Sequence, residues 1–187
     1  MTVDVSAVYI TAVQAALRDE LMRTMGVGTS VYPDPSYLCL KSVRLGSPMQ
    51  GTMRVAGSLP SAKLAFHVSK PTEMGISGSN EGYREDIIVV WFSAQFTPTT
   101  FGLVAGSYDV DDFQDLADGA INTLLQRGMS VLRMFVLNVQ DVTWGWISNE
   151  CHIGEFSAYL DTNAESGLEI YARAYFEYVL GTARMEG

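Results

Sequence analysis

LEIYARAYFEYVL, residues 168–180, runs between Ser166-Gly167 and Gly181, and whether it is helix or strand decides the fold. As a strand it places Ile170, Ala172, Ala174, Phe176 and Tyr178 on one face and Glu169, Tyr171, Arg173, Tyr175, Glu177 and Val179 on the other, because successive side chains alternate. As a helix, Leu168, Tyr171, Ala172, Tyr175, Tyr178 and Val179 also make a stripe, so periodicity alone leaves both open. Three tyrosines with Ile, Phe and Val favour the strand, and Gly167 and Gly181 suit turns at its ends. The expectation is a final strand with one apolar face and one face that alternates charge with aromatic rings. That second mixture is enriched at protein interfaces.

Working back along the chain, Asp109 or Asp111 caps a second helix whose stripe is Phe113, Leu116, Ala117, Ala120, Ile121, Leu124 and Leu125, with Gly128 as its end. Short strands are expected near 130–139 and 142–147, followed by a polar region before the final segment. Ile87, Ile88, Val89, Val90, Trp91 and Phe92 form the strongest strand signal; they do not alternate with polar residues, which predicts a central strand covered on both faces. At the N-terminal end, Val5, Tyr9, Ala12, Val13, Ala16, Leu17 and Leu21 share a helical face within 5–25, with Thr11, Gln14 and Arg18 on the other side and Gly26 and Gly28 at the close. Residues 37–43 read as a short strand after the Pro33-Asp34-Pro35 turn. From 46 to 82 the chain is rich in Gly, Ser, Pro and Met, with a strand pattern only at 63–69; a stretch this long and weakly patterned predicts an extended arm or hairpin. The fold class expected is α+β: one domain over 1–187, an antiparallel or mixed sheet with two main helices packed on it, and an arm or hairpin insertion.

Composition narrows the function. A chain of 187 residues with 48% apolar residues can bury a sizeable core. Charged residues make up 18%, below the roughly 25% usual for globular domains, which suits a β-rich chain or one that buries surface on assembly. The net charge of −9 argues against an autonomous nucleic-acid binder. The charge is uneven: within 31–80, Lys41, Arg44, Arg54, Lys63 and Lys70 outnumber Asp34 and Glu73 for a local balance of +3, leaving −12 on the remainder. A basic segment on an acidic body can contact an acidic surface, including that of another copy. The two cysteines, Cys39 and Cys151, form no framework and point to a reducing compartment. No signal peptide is read at the N-terminus. The uncharged run 87–108 is too polar and proline-broken at 95–100 to span a membrane, so a strand followed by a loop is expected.

Candidate chemistry is sparse. Asp109, Asp111, Asp112, Asp115 and Asp118 lack the oxygen ligand at Phe113 and the glycine at Gln114 that a calcium loop would need, so they read as carboxylates stabilising a helix N-terminus. Glu150, Cys151, His152 and Glu155 offer a thiol, an imidazole and carboxylates. Adjacent Cys and His on an extended chain point to opposite faces, and the other pair, His67 and Cys39, is distant, which favours a structural role over ligation or nucleophilic catalysis. Gly26-Val27-Gly28 follows a helix and lacks the third glycine of a dinucleotide fingerprint. Trp144 and Trp146 share a face if extended, a pattern that covers a core or interface more often than it binds a sugar or base. No catalytic, cofactor-binding or metal residue is assigned, and no cofactor is expected.

The order of elements resembles the tail terminator or tail-completion proteins of tailed bacteriophages. The likeness is one of pattern, carried by the helix of 5–25, the run Arg84-Glu85-Asp86-Ile87-Ile88-Val89-Val90, the helix from Asp111-Asp112-Phe113 to Leu125, and the terminal 169–179. It implies a structural virion protein, not an enzyme, assembled in the host cytoplasm as a homo-oligomeric, hexameric ring. Such a ring sits on the head-proximal end of a tail tube, touches the tube protein and the head-tail connector, and lets DNA pass without specific binding or membrane contact. Under it, 46–82 and 97–108 would be arms reaching neighbours, and Lys41, Arg44, Arg54, Lys63, Lys70, Tyr171, Arg173 and Tyr175 would lie at subunit interfaces. Alternatives are another neck, head-closure or capsid decoration protein and, from a different class, a Cys151-dependent enzyme or a binding module using Trp144 and Trp146.

Overall fold

The structure is a computed structural model that describes residues 5–32, 35–46, 60–72, 83–134, 144–164 and 167–184. Five strands form one mixed sheet in the order β1-β2-β3-β5-β4, made of β1 (Ser42–Leu45), β2 (Ser61–Thr72), β3 (Tyr83–Phe96), β4 (Trp144–Ala164) and β5 (Gly167–Arg184). Only β1 and β2 run parallel; the other neighbours are antiparallel. With helices α1 (Val5–Met25) and α2 (Val110–Met134), this is an α+β fold.

The stretch 168–180 is strand, as its composition predicts, and lies between β3 and β4. Ile170, Ala172, Ala174, Phe176, Tyr178 and Leu180 are all buried, joining Ile88, Val90, Phe92, Ala94 and Phe96 of β3 in the core. α1 contributes Val13, Leu17, Leu21 and Met25 to the same core, an unbroken i, i+4 stripe. Gln14, placed on the solvent side by its polarity, is instead buried and donates to the Leu64 carbonyl; a polar side chain is tolerated there because it meets a carbonyl. After the helix, Gly28 takes a left-handed conformation with φ 81°.

α2 starts as its sequence predicts, with the Asp109 carboxylate accepting from the Asp112 backbone N–H at 2.8 Å. It does not stop at Gly128. The helix continues to Met134 because Met129, Val131 and Leu132 extend the buried stripe, and Gly128 itself lies against Phe92 and Phe176. A strand at 130–139 is therefore ruled out over 130–134; residues 135–139 lie outside the described residues. The strand expected near 142–147 is longer than its sequence suggests: β4 continues through the polar region that follows, to Ala164, paired with β5 along its length.

Two further expectations change. Ser36–Leu38 forms a 3-10 turn, and the strand begins only at Ser42. The Leu40 N–H donates to the Met25 carbonyl and its own carbonyl accepts from Val27 N–H, so this segment ties to the end of α1 and not to the sheet. The stretch 97–108 is not an arm. Its Phe101 ring packs on Tyr37, Phe96 and Phe113, and Tyr108 packs on Phe113. Within 46–82, Ser61–Thr72 is a sheet strand whose antiparallel register with β3 reaches Thr72 and Tyr83; residues 47–59 and 73–82, with Arg54, lie outside the described residues, as do Pro33 and Asp34. Among the described residues, no helix is long and apolar enough to cross a membrane.

Candidate functional site

Both helices pack on the same side of the sheet, so the odd-numbered residues of β3 and β5 face away from them. This helix-free face carries Ile87, Val89, Trp91, Ser93 and Gln95 on β3, opposite Val179, Glu177, Tyr175, Arg173 and Tyr171 of β5 in register, and Glu169 of β5, whose register partner is Asp161 of β4. β3 is central, as expected, yet neither helix supplies the cover predicted for its second face. Ile87 and Val89 are buried there, whereas Trp91 is only half-buried.

Register aligns residues that the sequence keeps apart. Arg44 of β1 pairs with Lys63 of β2, Lys63 with Trp91 of β3, and Trp91 with Tyr175 of β5, forming one row across four strands. The next rows hold Ser93 beside Arg173 and Gln95 beside Tyr171. Trp91 and Tyr175 stack with ring centroids 4.3 Å apart, a contact worth roughly 0.5–1.5 kcal/mol beyond its buried area. Tyr171, Arg173 and Tyr175 are all half-buried. Of the other basic residues, Lys41 and Arg44 are exposed at the β1 edge, while Lys70 is far from them along β2, in register with Glu85. The side chains of Lys63 and Lys70 are outside the described set.

One element of this face has no signal in the sequence. Glu169 is buried, and one of its carboxylate oxygens accepts from Gln95 Nε2 and from the Tyr171 hydroxyl, each at 2.8 Å. A buried carboxylate requires such donors, and here they fix the Tyr171 ring on the sheet. Strand alternation could place Glu169 and Tyr171 together, but nothing in the sequence could bring Gln95 to them.

The thiol candidate resolves differently. Cys151 is buried on the core side of β4, its Sγ 3.9 Å from the Met129 carbonyl, and the Arg133 guanidinium donates to its backbone carbonyl at 2.9 Å. Burial pushes the thiol up to about 11, with nearby Arg133 opposing only in part. A nucleophile needs the thiolate, and this environment favours the neutral thiol. His152 is exposed, across the strand from Cys151, in register with Glu177. Cys39 is buried as well, and neither cysteine forms a disulfide. We expect both thiols to resist a disulfide reagent at neutral pH until the chain is unfolded, as thiol titration with and without denaturant will show; fast labelling of native Cys151 contradicts this. Because the folded-state thiol holds its proton above its unfolded value of 9.0, stability falls as pH rises from about 9 towards 11.

Among the described residues, no group of three or more His, Cys, Asp and Glu is placed to hold a metal ion. Glu150, Glu155, Trp144 and Trp146 have side chains outside the described set. The arrangement on the helix-free face, with aromatic area, a guanidinium and a basic edge, is suited to binding another macromolecular surface. No protein-family model matches the chain, and no curated protein matches it by sequence.

Proposed function

We propose that this chain is the subunit of a homo-oligomeric ring in a phage virion, a tail terminator or tail-completion protein that closes the head-proximal end of a tail tube and joins it to the head connector. The observation that carries this reading is the helix-free face, where Trp91, Tyr171, Arg173 and Tyr175 present aromatic and guanidinium groups only half-buried within one subunit. Aromatic residues and arginine are the groups that dominate protein interfaces. The charge split fits the same role. Six copies of a chain carrying −9 would line a passage with negative charge, which repels DNA phosphates and so lets the duplex slide.

The experiment is direct. Negative-stain microscopy and light scattering of the purified protein are expected to give rings with a central hole, six subunits round, and an assembly that weakens as salt screens the charged contacts. A monomer at high concentration overturns the reading, and a compact trimer without a hole transfers it to a capsid decoration protein.

A further inference from the structure

We propose that the sheet continues from one subunit into the next, the β1 edge of one copy pairing antiparallel with the β4 edge of a second copy of this chain. The inference rests on the ring reading above and names the joint that closes the ring.

The sheet ends in two strands with an open side. β1 and β4 lie at its margins, and among the described residues neither has a strand partner on its outer side. A row of backbone N–H and C=O groups at a sheet edge is a template for another strand.

The two margins differ in sign. β1 and β2 hold Arg44, Lys63 and Lys70 with no Asp or Glu, and Lys41 immediately precedes β1. β4 holds Glu150, Glu155 and Asp161 with no Lys or Arg. The central strands offset part of this, since Glu85 lies in register with Lys70 and Arg173 with Ser157. Arg44 and Lys63 have no acid in register, however, and Asp161 lies beside a second acid, Glu169. Pairing β1 with β1 or β4 with β4 therefore sets like charges together. Pairing β1 with β4 sets opposite charges together.

Length and direction agree with this choice. The register of β4 on β5 shifts after Trp146, Ile153 and Asp161, which leaves two regular runs of six residues, Ser148–Ile153 and Phe156–Asp161. In the first, the Cys151 carbonyl already accepts from Arg133. The second accommodates the four residues of β1 and is bounded by Glu155 and Asp161. Following the pairings across the sheet, β4 runs opposite to β1, so copies standing the same way up around an axis along the strands meet antiparallel. Side chains alternate, so keeping both helix-free faces on one side sets Ser42 and Arg44 against Ser157, Tyr159 and Asp161. Because the two edges differ, the contact is heterologous and repeats around a closed ring.

The test uses the full chain, with circular dichroism to check folding. Ser42→Cys chains, mixed under mild oxidation with chains carrying Ser157→Cys, Tyr159→Cys or Asp161→Cys, are expected to form a disulfide-linked pair with one of the three, because directly opposed strand positions fall within disulfide reach. Arg44→Glu or Asp161→Lys alone is expected to weaken self-association by about tenfold in sedimentation velocity, and the two together to restore it, with an unchanged far-UV spectrum. A Ser42→Cys chain that links to none of the three, Tyr159→Cys chains that link only to each other, or charge swaps without effect overturn the proposal. Rings that form regardless of these changes sink this joint and leave the terminator reading standing. Linked pairs with charge-swap rescue in an assembly that is not a ring support the joint and overturn the ring.

Discussion

Replacing Phe176 with alanine is expected to lower the stability of the subunit by about 3–5 kcal/mol, the range for truncating a buried phenylalanine. Phe176 is fully buried, stacks with Phe92 at a centroid distance of 6.1 Å, and is shared between β5 and the underside of α2 at Gly128. Little can collapse into the space, because β5 is held in register on both sides, by β3 and by β4. Measured against a typical domain stability of about 5–15 kcal/mol, the loss moves the urea midpoint far enough to be unmistakable. Its neighbour behaves oppositely. Tyr175→Ala removes a half-buried ring from the helix-free face, so the chain is expected to lose only about 1 kcal/mol and, under the proposed ring assembly, to associate more weakly. Midpoints are to be taken at several protein concentrations, since assembly adds to apparent stability. A Phe176→Ala chain as stable as the native one would mean that the sheet does not pack under α2 as described.

Gly128→Ala is the second large effect, and its sign is unusual for a helix. An added Cβ would lie 2.4 Å from Phe92 Cζ and 2.9 Å from its Cε2, with Phe176 Cε1 at 3.4 Å. Phe92 is fully buried and its ring is rigid, so the clash is relieved only by moving the helix or the sheet. Overpacking costs roughly 1–3 kcal/mol, against about 1 kcal/mol regained in helix propensity. A net loss of up to about 2 kcal/mol is expected, and more for any larger side chain. Trimming the obstacle tests the cause: combined with Phe92→Leu, the alanine should cost much less than it does alone, a coupling of about 0.5–3 kcal/mol in a double-mutant cycle. If Gly128→Ala raises the melting temperature instead, α2 does not approach β3 this closely.

The same glycine explains why the end of α2 was illegible. Gly after an apolar stripe reads as a terminator, and only the rings of Phe92 and Phe176, distant in sequence, reveal it as a point of close approach. β4 was hidden by a different device. Cys151 and Ile153 pair with the core residues Tyr178 and Phe176, but beyond them Phe156, Ala158 and Leu160 pair with Ala174, Ala172 and Ile170. One extra residue at the bulge switches the parity, so the alternation that marks a strand is lost halfway along. β5 keeps an unbroken period of two and was legible for that reason, as was α1 through its i, i+4 stripe. On the helix-free face, period alone assigned Tyr171, Arg173 and Tyr175 to one side. Their alignment with Trp91, Lys63 and Arg44 is a matter of register across three other strands, which pairing fixes and local sequence does not.

The central ladder of the sheet joins strands on opposite sides of α2, with Tyr83 opposite Ala183 and Phe96 opposite Ile170. β2 with β3 and β4 with β5 are neighbours along the chain and can zip locally, but this seam closes a long loop and forms slowly. On the ribosome, β3 emerges with its apolar residues and one bare edge, and it keeps that edge until its partners on β5, Ile170 to Ala183, leave the exit tunnel. The rows that pair Trp91 with Tyr175 and Ser93 with Arg173 do not exist before then. Nascent or prematurely released chains therefore lack these aromatic rows, and under the proposed ring assembly only subunits whose translation has passed the last strand would join other copies.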